Sequence, residues 1–135
     1  MIKIDGGCHC GQVRYEAEID PATVEICHCE DCQTLTGTAF RVVVPVTEEA
    51  FKLIAGEPKI YVKTADSGSK RLQAFCSNCG SPIYATSATP GGRTFGLRAG
   101  TIRQRRNLVP SAQYWCKSAL PWIDSLPQMP KVDRQ

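Results

Sequence analysis

Cys27-His28-Cys29-Glu30-Asp31-Cys32-Gln33-Thr34-Leu35-Thr36-Gly37-Thr38-Ala39-Phe40 sets three cysteines in one short stretch, spaced C-x-C-x-x-C. Its opening echoes an earlier segment, Cys8-His9-Cys10-Gly11, and a third cluster follows at Cys76-Ser77-Asn78-Cys79-Gly80. Cysteines two or three positions apart can reach one metal ion from a tight turn, and structural sites usually combine two such pairs from distant parts of a chain. Residues Glu30 to Leu35 read as a turn or one short helix, which Gly37 ends.

Around these clusters the pattern is that of sheet. Val13, Tyr15, Ala17 and Ile19 alternate with Arg14, Glu16 and Glu18, the period of a half-buried strand, and Pro21 ends it. Further strands read over Thr23 to Ile26, Phe40 to Val46, Phe51 to Ile54, Ile60 to Val62, Leu72 to Phe75, Ile83 to Ala85 and Thr94 to Leu97. Gly56-Glu57-Pro58 and Pro90-Gly91-Gly92 read as turns, and Asp66-Ser67-Gly68-Ser69 as a hairpin loop. Pro45 places the end of its strand at an edge or exit. The last thirty or so residues hold four prolines and few periodic segments, and Trp115 and Trp122 suggest a tail that packs back onto the body. The reading is a single mainly β domain over residues 1–135, a sandwich, barrel or folded-over antiparallel sheet.

With 135 residues, the chain is long enough to bury a core without staples, so its eight cysteines call for another reason. Met1-Ile2-Lys3-Ile4-Asp5 lacks the layout of a secretory signal, and no apolar run approaches a membrane span. Both point to the reducing cytoplasm, where clustered cysteines are metal ligands or redox groups rather than disulfides. A C-x-C disulfide is also strained, and a thioredoxin-like role for Cys76 and Cys79 lacks its βαβ context. Cys116 stands alone and reads as a small buried apolar residue. The net charge of +3 suits an anionic small molecule. Only Arg103-Gln104-Arg105-Arg106 favours nucleic acid, and no aromatic residues are interleaved with it.

Zinc is the ion such clusters suit. Joining Cys8 and Cys10 to Cys76 and Cys79 closes a four-thiolate structural site, with Gly80 free to take the positive φ the knuckle needs. Cys27, Cys29 and Cys32 would then form a second site with an open position, as in catalytic zinc. Other partitions, in which one of these three shares an ion with another pair, leave spare thiols. His9 and His28 sit between paired cysteines, and the middle residue of an extended C-x-C points to the opposite side, so neither is a good ligand. His28, beside an open metal site, is a candidate acid, base or hydrogen-bond donor.

In its motifs the chain resembles the glutathione-dependent formaldehyde-activating enzyme family, also known from the domain of centromere protein V. The resembling segments are Gly6-Gly7-Cys8-His9-Cys10-Gly11-Gln12-Val13-Arg14-Tyr15, the central run from Cys27 to Phe40, Phe75-Cys76-Ser77-Asn78-Cys79-Gly80-Ser81-Pro82, Gly100-Thr101-Ile102, and Ser118-Ala119-Leu120-Pro121-Trp122. They run from about 6 to 122, leaving 123–135 as a C-terminal tail. The resemblance implies a folded sheet of the β-tent type organised around two zinc ions, four cysteines structural and three at a reactive zinc. It implies a carbon–sulfur lyase reaction joining formaldehyde to the thiol of glutathione, or the reverse. Three thiolates weaken a zinc ion as a Lewis acid, which favours activation of the thiol over polarisation of the carbonyl. Arg41, Arg93, Arg98 and Arg103 are candidates for the anionic groups of such a thiol by sign alone. Gln113 or a neighbour stands where many members carry a histidine. The competing reading is a non-catalytic zinc scaffold that binds a partner.

Overall fold

The computed structural model describes residues 1–135. Along the chain run β1 (Ile2–Gly7), β2 (Arg14–Ile19), β3 (Glu25–Cys27), helix α1 (Glu30–Thr36), β4 (Arg41–Thr47) and β5 (Phe51–Ala55). There follow β6 (Lys59–Thr64), β7 (Lys70–Phe75), β8 (Pro82–Ser87), β9 (Thr94–Arg98) and β10 (Ala112–Tyr114). Short 3-10 turns fill the connections, and one of them, Pro121–Gln128, makes up most of the tail. The fold is mainly β, in two sheets with few helices.

The smaller sheet has the order β1-β2-β5 and the larger β10-β3-β4-β9-β8-β7-β6. Every pairing is antiparallel except that of β10 with β3. β2 shows why the sheets close on each other. Tyr15, Ala17 and Ile19 are buried while Arg14, Glu16 and Glu18 face solvent, so one face of the small sheet is wholly apolar. That face meets Val44, Val46, Phe95 and Leu97 of the large sheet in one continuous core. Phe51 stacks on Phe95 at 5.0 Å between ring centres, and Tyr84 packs at 4.7 Å from Phe95. Tyr15 Oη donates to Thr101 Oγ1 at 2.7 Å, and Thr101 Oγ1 donates to Arg98 O at 2.8 Å, which carries the small sheet to the end of β9.

Gly56 is the corner at which the chain leaves the small sheet for the outer edge of the large one. Its φ is +79°, and a Cβ there would sit 2.3 Å from Gln12 O, so only glycine fits. Pro45 pairs with Gly96 of β9 beyond the reach of β3, which ends opposite Val43, so its missing N–H costs no ladder bond. No helix is long and apolar enough to cross a membrane.

Two strands carry no periodic signal in the sequence. In β1 only Ile4 is buried. β10 is three residues long and joins its sheet in parallel with β3. The expectation that Trp115 and Trp122 anchor the tail is corrected: they are exposed, at 56% and 45%. The tail is held instead by β10 and by Ile123 and Leu126, which line a hollow with Ile26 and Phe40. Cys116 is likewise exposed, since it opens a 3-10 turn on the surface; its thiol reaches Gln113 O at 3.6 Å.

Candidate metal centre and its flanking pockets

The first cysteine group forms where two turns meet. Between β1 and β2, Cys8 N donates to Val13 O at 3.0 Å and Val13 N donates back to Cys8 Sγ at 3.2 Å. Between β7 and β8, Gly80 N donates to Cys76 O at 2.8 Å, with Gly80 at φ +78° as the knuckle requires. His9 N donates to Ser81 Oγ at 3.0 Å and joins the two turns. The result brings Cys8, Cys10, Cys76 and Cys79 together, with all four sulfurs within 4.8 Å of one another. Cys8 Sγ lies 3.5 Å from Cys10 Sγ, which lies 3.7 Å from Cys76 Sγ. Zinc–sulfur bonds of about 2.3 Å in a tetrahedron place sulfurs about 3.8 Å apart, so the donor set fits that ion. Disulfide sulfurs would be about 2.05 Å apart. The Ser81 hydroxyl, the Ser81 backbone N–H and the neighbouring cysteines hold the Cys79 thiol down at about 5, so Cys79 favours the thiolate a metal needs.

The second group lies where β3 runs into α1. Cys27, Cys29 and Cys32 have their sulfurs within 4.8 Å of one another and are each half-buried. Cys29 caps the helix, its sulfur accepting from Cys32 N at 3.3 Å. Arg41, only 4% exposed on β4, donates its Nε to Cys32 Sγ at 3.4 Å. Burial pushes the Cys32 thiol up, but Arg41, with Cys29 and Cys27 beside it, brings it below its ordinary value. Burial, with Cys29 and Cys32 adding to it, raises Cys27 to about 12. Three soft donors on one side and nothing else within reach fit an ion with an open position.

His28 stands outside both groups. It is 1% exposed, with Nε2–H donating to Gln113 Oε1 at 2.8 Å, its ring edge-on to Phe40, and Nδ1 without a partner. Gln33, unmarked in the sequence, donates to His28 O at 2.8 Å and to Ser118 O at 2.9 Å, so one amide fixes both the cysteine loop and the C-terminal segment. His9 faces solvent.

One pocket borders the three-cysteine group, and a second is lined by Arg41, which reaches Cys32. The first, of about 530 Å³, is lined by Cys29, Asp31, Lys63 and Trp115 among others. Trp115 has φ +57°, the single non-glycine residue in the left-handed region. The other, of about 300 Å³, lies between Arg41 and Arg98. A larger hollow of about 580 Å³ lies over β1 and β2, but no cysteine lines it. Of the four arginines chosen by sign, the structure brings Arg41 and Arg98 together. Arg93 is bound to Glu48 at 3.0 Å and Arg103 to Asp5 at 2.8 Å, and neither lines a pocket with Cys29 or Arg41.

Two sheets carrying a four-cysteine and a three-cysteine group define a small mainly β protein in which each group could hold a metal ion through its thiolates. The glutathione-dependent formaldehyde-activating enzyme model matches residues 3–118, and the chain belongs to that family. It is 23% identical over 113 residues to an uncharacterized lyase of Schizosaccharomyces pombe, covering 84% of this chain and 78% of that protein. A crystal structure of a Rhodobacter sphaeroides protein shares the fold at TM-score 0.60 and 18% identity, over 81% of this chain and 98% of the other.

Proposed function

We propose that the protein is a zinc-dependent carbon–sulfur lyase acting on the adduct of a small glutathione-type thiol with formaldehyde, in a β-tent fold. Membership of the formaldehyde-activating family supports the reaction class. The observation that carries the reading here is the contrast between the two cysteine groups. Cys8, Cys10, Cys76 and Cys79 would surround a structural zinc, whereas Cys27, Cys29 and Cys32 supply three donors beside one pocket and next to Arg41, which lines another. Zinc held there would supply a position at which a thiol loses its proton near neutral pH.

The chain's own groups do the rest. Cys29 lines the larger pocket together with Trp115 and the Asp31–Lys63 pair, so an aldehyde admitted there is confined beside the three-cysteine group. Arg41 offsets negative charge at Cys32. In the forward direction the thiol sulfur bonds to the aldehyde carbon, the carbonyl π pair moves to oxygen, and that oxygen takes up the thiol's proton. The reverse step returns both. His28, buried and held by Gln113, acts in this reading as a positioning residue for the cysteine loop rather than by exchanging protons with solvent. A reducing compartment would keep the clustered thiols available.

The test follows the exchange of ¹³C-labelled formaldehyde between its hydrate and its glutathione adduct by NMR, with and without the zinc-loaded protein. Faster exchange supports the reading, and an exchange rate identical to that of the buffer overturns it.

A further inference from the structure

We propose that the pocket between Arg41 and Arg98 is a carboxylate subsite, and that the thiol bound at the three-cysteine group carries a carboxylate on an apolar stem. The thiol half of this rests on the function proposed above.

The sheet itself lays the site out. Cys27 pairs with Arg41 across β3 and β4, and Arg98 pairs with Val43, two residues along β4. Cys27, Arg41 and Arg98 therefore share one face on a diagonal of neighbouring strands. The protein's ion pairs are Lys63–Asp31, Arg93–Glu48 and Arg103–Asp5, and neither pocket arginine is in one. Arg41 bonds only to Cys32 Sγ. Arg98 gives Nη2 to Gln73 Oε1 at 2.8 Å and Nη1 to Gly96 O at 3.3 Å, while its Nε is buried with no partner. Burial, together with the like charge of Arg41, pushes Arg98 down to about 9.

Two guanidiniums thus crowd a half-enclosed pocket of about 300 Å³ whose lining holds no carboxylate. Arginine keeps its proton in proteins, so the charge has to be answered rather than lost. Arg41 is engaged by Cys32 Sγ, whereas Arg98 meets only neutral acceptors and keeps a buried Nε without a partner, which leaves a donor for an anion from outside. A planar carboxylate matches the guanidinium fork, and Leu35, Phe75 and Pro82 give its stem an apolar wall.

The experiment is calorimetric titration of the zinc-loaded protein with 3-mercaptopropionate, with uncharged 3-mercaptopropanol and with sulfur-free propionate. Wild type should bind the mercaptocarboxylate about tenfold or more tightly than the alcohol, the scale of one charge-assisted hydrogen bond. Arg98→Met should erase that preference and leave affinity for the alcohol unchanged. Leu35→Glu, at a partly exposed helix position, should also erase the preference for the carboxylate by placing a carboxylate among the guanidiniums, and it serves if Arg98→Met fails to fold. Equal affinity of wild type for the two thiols, or a preference that survives in a folded variant, overturns the subsite. Failure of the thiol reading looks different: neither thiol would bind more tightly than propionate, while propionate binding would still depend on Arg98.

Discussion

Arg41 Nε lies 3.4 Å from Cys32 Sγ, so a buried guanidinium from one strand holds a sulfur at the start of the helix that follows the neighbouring strand. Removing it takes away the guanidinium that opposes the effect of burial on Cys32 and leaves only Cys29 and Cys27 to lower its thiol. Arg41→Met should lower stability by about 2 kcal/mol, the scale of a hydrogen bond to a charged group. It should also speed release of one metal equivalent to a chelator. Release kinetics matching wild type would show that Arg41 does not support the cluster.

Cys76 is buried where the two turns of the four-cysteine group meet. Structural zinc contributes on the order of 10 kcal/mol to the folding of small zinc domains. Cys76→Ala should therefore yield a protein that melts far below wild type or does not fold. Circular dichroism and metal content decide it, and a metal-replete variant of unchanged melting would refute the structural role.

Cys29 borders the larger pocket, and the two sheets meet elsewhere. Cys29→Ser should lose one zinc equivalent, keep its melting temperature within a few degrees of wild type as a change outside the core does, and abolish glutathione-dependent formaldehyde exchange. If the serine variant unfolds, or retains two tightly held ions, the division into a closed and an open site fails.

Tyr15 is 1% exposed, and burial raises its hydroxyl to about 12 despite the bond to Thr101. An unfolded tyrosine ionises near pH 10. The folded state thus binds this proton more tightly, and stability present below pH 10 is lost as pH rises toward 12. Denaturant melts across that interval should show a steeper decline for wild type than for Tyr15→Phe. Parallel slopes would mean that Tyr15 ionises as freely in the fold as out of it.

What the sequence discloses depends on how local the cause is. The burial of β2 is written in alternate residues, and the cysteine spacing marks which thiols the folded chain gathers. α1 is legible from Gly37, which ends it at φ +67°. β1 and β10 are not legible, because one buries a single residue and the other exists through a parallel pairing more than eighty positions away. Arginine sign is visible but arginine company is not: Arg93 and Arg41 look alike until Glu48 is found beside one and Cys32 beside the other. Trp115 and Cys116 misled for a related reason, since an apolar side chain on a short surface turn has no periodic neighbours to show that it faces outward.

The outermost strand of the larger sheet has a further consequence. β6 carries Ile60, Tyr61 and Val62 partly exposed on a rim with no strand beyond it, the composition that recruits foreign strands. Pro58 stands at its entrance without an N–H to offer, Lys59 sets a charge at its first position, and Asp31 of α1 holds Lys63 near its other end at 2.6 Å. The apolar rim is therefore guarded at both ends. Growth of fibres from this edge would have to strip a lysine from its carboxylate and accommodate a proline before the first rung could form.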